Sequence, residues 1–336
     1  MGRSTMASLP RFPGSGRLTT SPAAAPTTLE RVRLGDGRWL AFERTGLEDA
    51  TAAVCFYFHG FPGSRLEVRL AGVAAREAGI QLIGVDRPGF GCSDPHRGRA
   101  LLDWPADVAE LADAIGVARF ALLGVSGGAP YAAAVARMLA DRVTVAGIVN
   151  GLGPPDTVEG RAGLSGVNRA GLALATRAPF LIPVIAAGLR SVAAWRPQWL
   201  VARLRSAATG ADRTALENEE LSRLLSESFR EAVRGGQAGL VSDARIYISG
   251  WAGWLEEITA PVLLWHGEED RIVSPGMGRS VARAIPGCRA VFLTGDGHFS
   301  VLVNHLRTIL TTIAAAHRRK LGVFGPAATP PPRMRL

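Results

Sequence analysis

Arg119-Phe120-Ala121-Leu122-Leu123-Gly124-Val125-Ser126-Gly127-Gly128-Ala129-Pro130-Tyr131-Ala132-Ala133-Ala134-Val135-Ala136 decides the fold. The apolar run up to Leu123 reads as a strand, and the alanine-rich run after Gly128 as a helix. The small residues between them suit a turn too tight for bulky side chains, with Ser126 at its apex. Such a turn lifts a hydroxyl above the end of a sheet. It also sets the Gly127 N–H at the start of a helix, where it can donate to an oxyanion. In a chain with 40 glycines the five-residue pattern alone is weak. The competing role for Ser126 is a helix N-cap.

Outward from this turn, strands and helices alternate. Asp36-Gly37 separates two β-like runs between Leu29 and Gly46, which predicts a hairpin. Strands follow at 52–58, 80–85, 120–124 and 143–149, interleaved with helices at 67–78, 105–115 and 128–140. The rhythm breaks at Gly153-Pro154-Pro155, and residues 156–250 show helical spacing without a good strand. It resumes with a strand at 261–265, a helix near 277–284, a strand at 290–293 and a helix over 300–317. The expected architecture is α/β: a mostly parallel, predominantly eight-stranded sheet with helices on both faces. Residues 29–155 and 251–321 form its core, and residues 156–250 a helical insertion. Residues 1–28 and 322–336 read as disordered tails, the second containing Pro330-Pro331-Pro332.

The formal charge of +9 looks like a nucleic-acid signal until it is placed. Arg3, Arg11 and Arg17 lie in the first tail, and Arg318, Arg319, Lys320, Arg333 and Arg335 near the other end. Neither stretch has an acid, so residues 29–317 are nearly neutral and a basic nucleic-acid groove is not indicated. The three cysteines, Cys55, Cys92 and Cys288, are odd in number and far apart. That argues against a disulfide framework and fits a reducing, cytoplasmic location. Cys55 is expected in the core, and Cys92 either buried or brought toward the site by its loop. The most apolar stretch, Ala178 to Leu189, contains Pro183 and falls short of the roughly 20 residues that span a bilayer.

Acyl transfer needs a nucleophile, a base, an acid that orients the base, and oxyanion donors. Each has a candidate just after a predicted strand, where reactive groups collect in parallel sheets. Ser126 is the nucleophile. His298, in Gly295-Asp296-Gly297-His298-Phe299-Ser300, is the base, and Asp270, in His266-Gly267-Glu268-Glu269-Asp270-Arg271, the orienting acid. Asp156 is the alternative acid. His305 and His317 are expected on the surface of the last helix, while His59 and His266 suit structural hydrogen bonds. The N–H groups of Phe61 and Gly127 are the oxyanion donors; Pro62 has none to give. Asp86 and Arg87, in Asp86-Arg87-Pro88-Gly89-Phe90-Gly91-Cys92-Ser93-Asp94, are expected to form structural hydrogen bonds.

The series HGFPGSR, DRPGFGCSD, GVSGGAP, HGEEDRIVSP and GDGHFS resembles the α/β-hydrolase fold superfamily over residues 29–317. It is most similar to the lidded serine hydrolases: esterases, proline-iminopeptidase-like peptidases and cofactor-free haloperoxidases. The order Ser, Asp, His matches that family. The resemblance implies Ser126, Asp270 and His298 as triad, Phe61 and Gly127 as donors, and residues 156–250 as the cap. Epoxide hydrolases and haloalkane dehalogenases of this fold use an aspartate where Ser126 stands. Iminopeptidases usually carry Trp where Gly127 stands and need cap acids; Glu217, Glu219, Glu220 and Asp243 are available.

Leu181, Ile182, Val184, Ile185, Leu189, Trp195, Trp199 and Leu200 are expected either to line an apolar pocket or to pack the cap onto the core. The expected partner is a small apolar ester, with no nucleic acid and no stable membrane insertion, since no clean basic amphipathic helix is evident. No ligand cluster or dinucleotide fingerprint appears, so no metal or organic cofactor is implied. An iminopeptidase or amidase, and a small-molecule sensor of the same fold, are the alternative functions.

Overall fold

The structure, a computed structural model, describes residues 28–155 and 166–322. Asp156 and nearly all of both tails lie outside the described residues. Eight strands, β1 (Leu29–Arg33), β2 (Trp39–Gly46), β3 (Ala53–Phe58), β4 (Ile80–Val85), β5 (Phe120–Val125), β6 (Val143–Val149), β7 (Val262–Gly267) and β8 (Arg289–Leu293), form one sheet. Their order is β1-β2-β4-β3-β5-β6-β7-β8. The β1–β2 hairpin and the β2–β4 pairing are antiparallel, and every other pairing is parallel.

The alternation of side chains along each strand divides the core between two faces. Phe120 and Leu122 of β5 pack with Leu111 of α2 (Trp104–Ala114) and Ala132 of α3 (Ala129–Met138). Ala121, Leu123 and Val125 point the other way, into a cluster with Ala75 of α1 (Gly72–Ala78) and Ile309 and Ile313 of the last helix (Ser300–Lys320). Every residue of β5 is buried, as expected for a central strand covered on both sides. The helix expected at 67–78 is split into a 3-10 stretch, Arg65–Ala71, and α1. His317, expected on the surface, is instead buried. Its Nδ1 lies 2.7 Å from Thr144 Oγ1, and burial together with Arg318 pushes its pKa down to about 4.

β3 and β5 are neighbours, yet the chain leaves them toward opposite faces. Their loops diverge at the carboxyl edge and open a crevice there, the usual ligand position in such sheets. Between β6 and β7 the chain inserts helices α4 (Gly166–Arg177), α5 (Ile182–Trp195), α6 (Pro197–Ala207), α7 (Gly210–Glu217), α8 (Glu219–Ala232) and α9 (Ala238–Ile248). Buried charges tie this insertion to the sheet. Asp243 of α9 accepts from Arg87 Nε at 3.0 Å and Nη2 at 2.8 Å, and also engages Arg99 and the Tyr131 hydroxyl. Arg65 Nη1 bridges Asp86 at 2.6 Å and Glu231 of α8 at 2.7 Å. Removing one partner of such a buried pair strands a charge, at a cost of about 3–5 kcal/mol.

Candidate active site

Ser126 follows β5 directly with φ +52, a left-handed conformation rare for a residue with a side chain. Its neighbours explain how the turn is tolerated. A Cβ on Gly128 would overlap the Phe58 carbonyl oxygen, and one on Gly124 would sit 2.8 Å from Ala132 Cβ. At Gly127 a Cβ would meet the Tyr247 hydroxyl at 2.6 Å and Phe61 Cβ at 2.9 Å. Glycine at these three positions lets β3, β5 and α9 close on the serine.

His298 is held from three directions. Its Nδ1 lies 2.7 Å from Asp270 Oδ2, and the other oxygen of Asp270 accepts from the N–H groups of Ile272 and Val273, both at 2.8 Å. Because a carboxylate only accepts, the Nδ1 carries the proton and Nε2 keeps its lone pair. Asn150, at φ +45 after β6, donates to the His298 carbonyl at 2.7 Å and accepts from Gly267 N at 2.9 Å. Asp212 reaches in from α7. It accepts from His298 N at 2.7 Å, Phe299 N at 2.8 Å, Ser300 N at 2.9 Å and Ser300 Oγ at 3.0 Å. Burial pulls the His298 pKa down, but the charge and hydrogen bond of Asp270, aided by Asp212 and Glu67, outweigh it and the net shift is upward.

Phe61 and Gly127 are close neighbours, since a Cβ on Gly127 would sit 2.9 Å from Phe61 Cβ. No hydrogen bond to a described residue occupies either N–H. Tyr247 Oη, 2.9 Å from both the Gly127 carbonyl oxygen and Asp243 Oδ2, braces the turn from the insertion. Glu67 accepts from Gly60 N and the Tyr57 hydroxyl, each at 3.0 Å, so it fixes the loop that carries Phe61. Burial raises the Glu67 pKa against those hydrogen bonds. His59 is a buried loop fastener: Nε2 accepts from Arg87 N at 3.3 Å while Nδ1 faces the Gly60 carbonyl at 2.9 Å. Burial and Arg87 hold its pKa well below the ordinary value, so it stays neutral. His266 is likewise buried, with Nε2 3.0 Å from the Val273 carbonyl oxygen.

Ser126, His298, Phe61 and Glu67 line one cavity of about 140 Å³. No direct hydrogen bond joins Ser126 to His298 among the described contacts. The rest of the wall is apolar, and the insertion supplies Leu204, Leu221, Leu224, Leu225 and Phe229. This corrects the expected lining: none of Leu181, Ile182, Val184, Ile185, Leu189, Trp195, Trp199 or Leu200 reaches this cavity. Helical spacing marked two faces of these segments without showing which one turns inward. Cys92 does not line the cavity; its Sγ lies 3.4 Å from Glu231. Glu67 and Asp212 were missed in the sequence. Asp212 bonds a loop 86 residues away, which no local pattern announces, and Glu67 lies just beyond the glycine-rich loop that it folds back to meet.

Residues 56–305 match the alpha/beta hydrolase fold family. The chain belongs to it. No curated protein sequence matches. Among solved structures, a malate-bound esterase from Thermogutta terrifontis shares 20% identity at a TM-score of 0.62, covering 88% of this chain and 99% of that one. An enol-lactonase from Burkholderia xenovorans LB400 shares 18% at a TM-score of 0.62, covering 85% and 99%. A bromoperoxidase from Bacillus anthracis shares 18% at 0.60, covering 88% and 96%. At these identities the likeness is one of fold.

Proposed function

We propose that this α/β-hydrolase is a serine hydrolase that cleaves small or medium apolar carboxylic esters, with residues 156–250 as its cap. The observation that carries this reading is the hydrogen-bonded Asp270–His298 pair opening onto the same apolar cavity as the strained Ser126. His298 Nε2 takes the Ser126 proton as Oγ attacks the ester carbonyl carbon. The new oxyanion is received by the Phe61 and Gly127 N–H groups. The tetrahedral intermediate collapses as the imidazolium returns the proton to the leaving alkoxide, leaving an acyl-serine. Water, deprotonated by the same nitrogen, then releases the acid and restores Ser126. The esterase and enol-lactonase among the similar folds act on ester bonds by name, which supports the choice.

The iminopeptidase alternative loses its best anchor. Asp243 is buried and engaged by two arginines, and Glu217 is exposed, away from the cavity. The test is to treat wild type and Ser126→Ala with a fluorophosphonate probe and short-to-medium p-nitrophenyl esters. Labelling and turnover lost in the variant are expected. Wild-type protein that neither labels nor turns over would overturn the proposal and turn attention to a ligand-binding role.

A further inference from the structure

We infer that the outer face of the helical insertion docks on an anionic lipid surface. Of the eleven large apolar side chains that stand exposed among the described residues, six fall between Leu174 and Trp199: Leu174, Phe180, Val184, Ile185, Trp195 and Trp199. Trp195 is 83% exposed, Phe180 73% and Val184 67%. They are not random survivors of an apolar composition. Along α5, Val184, Gly188, Ser191 and Trp195 are exposed at helical spacing, while Ile182, Ala186 and Ala193 on the opposite side are buried. Phe180 and Trp195 bracket this helix, about 21 Å long at 14 residues.

The charge of the same stretch is one-sided. No Asp or Glu occurs between Glu159 and Asp212. Arg177, Arg190, Arg196, Arg203 and Arg205 are all exposed, and none forms an ion pair with a described residue. Arg203 lies over the Trp199 ring at 5.8 Å. The near-neutral balance of residues 29–317 therefore conceals a stretch, residues 160–211, that has no acid and carries exposed arginines and exposed aromatic side chains together.

That combination selects the occupant. Both chain tails carry only positive charge and are repelled by this face, as is the same face of a second copy. Aromatic and branched apolar side chains projecting beside arginines suit the boundary between anionic headgroups and acyl chains. No described helix is long and apolar enough to cross a membrane, so the contact is a peripheral one.

The test is sedimentation of the full-length protein with phosphatidylcholine vesicles, with and without phosphatidylglycerol, at low and high salt. Salt-sensitive binding to the anionic vesicles alone is expected. Each exposed arginine contributes about fivefold near such a surface, so Arg196→Glu with Arg203→Glu, beside Trp195 and Trp199, should weaken binding by about 25-fold or more. Phe180→Ser with Trp195→Ser should also weaken it and remove part of the blue shift in tryptophan fluorescence. Neither pair touches the cavity, so turnover of a soluble ester and the melting temperature serve as fold controls. Absent binding, equal binding to neutral vesicles, or binding that survives both pairs of substitutions would overturn the inference, the last by assigning the contact to the tails. A dimer abolished by Trp195→Ser would overturn it in favour of self-association. Binding to polyglutamate that depends on the arginines and matches the vesicles would overturn it in favour of an acidic protein.

Discussion

Asp212→Asn isolates the contribution of the insertion to the His298 loop. In the native structure one carboxylate oxygen takes three donors, Phe299 N, Ser300 N and Ser300 Oγ, and the other takes His298 N. An asparagine has a single acceptor oxygen. If it keeps the three-donor side, its NH2 group confronts the His298 N–H, and one charge-assisted bond becomes a donor–donor contact. Losing that bond costs about 1.5–3 kcal/mol, and the remaining bonds weaken because the acceptor is no longer ionised. A local loss of about 2 kcal/mol corresponds to roughly 30-fold in the population of correctly placed loop. Ester hydrolysis should fall mainly in kcat, because Asp212 itself does not line the cavity and the displaced loop carries His298. Amide exchange at residues 298–300 should accelerate. Asp212 also helps raise the His298 pKa, so the acid limb of kcat/KM should move to lower pH. Wild-type kcat together with unchanged exchange protection at 298–300 would refute the reasoning.

Asp270→Asn should lower kcat by roughly three to four orders of magnitude and shift the acid limb below its wild-type position, read from pH–rate profiles. The His298 pKa is raised above the ordinary 6.5, so wild-type activity should rise with pH only above that value. The stability from its imidazolium is full below 6.5 and fades as pH rises through the folded pKa. Glu67→Gln keeps an acceptor for Gly60 N and Tyr57 while removing a carboxyl whose pKa burial raises. Its melting temperature should match wild type below the ordinary value of 4.5, exceed it increasingly as pH rises above that value, and level off above the raised folded pKa; a constant difference across pH would contradict this. Gly127→Ala should slow turnover through its clash with Tyr247 and Phe61. Tyr247→Phe in the same chain should restore part of the loss, whereas additive losses in the double-mutant cycle would show the two sites to be uncoupled.

The sheet was legible because its signals are local. The central strands are short apolar runs with glycine at or within two residues of their ends, and the break at Gly153-Pro154-Pro155 marks where α/β alternation stops. Ser126, Asp270 and His298 stood out because each follows a strand, and parallel strands gather their carboxyl ends on one edge. What escaped depends on which side a segment presents. His317 continues an Arg-rich stretch that looks solvated, yet the helix turns it onto Thr144 at the start of β6. Val184 and Trp195 look like core by composition, and only the packing of α5 turns them to solvent. Asp212 carries no local signal, and Asp243 stood out only as a possible cap acid, since the partners of both lie far away in the chain.

The two halves of the insertion are fastened by different physics. Asp212 of α7, Glu231 of α8 and Asp243 and Tyr247 of α9 all hydrogen-bond groups of the sheet region. Pulling any of these helices away strands a buried charge or breaks charge-assisted bonds, and Asp212 would take the His298 loop with it. Helices α5 and α6 meet the rest of the molecule largely through an apolar cluster, in which Ala186, Ala193 and Val201 pack with Phe90, Phe229 and Leu240. Such contacts are non-directional and can be exchanged for others of similar shape or for lipid. The half that braces the serine and histidine is thus the half that is expensive to move. The half that carries Phe180, Trp195 and the exposed arginines is held by the same kind of contact that an apolar surface outside the protein would offer. A substrate partitioning into that surface would reach the molecule on its least rigidly fastened side, with Leu204 of α6 already in the wall of the cavity that holds Ser126.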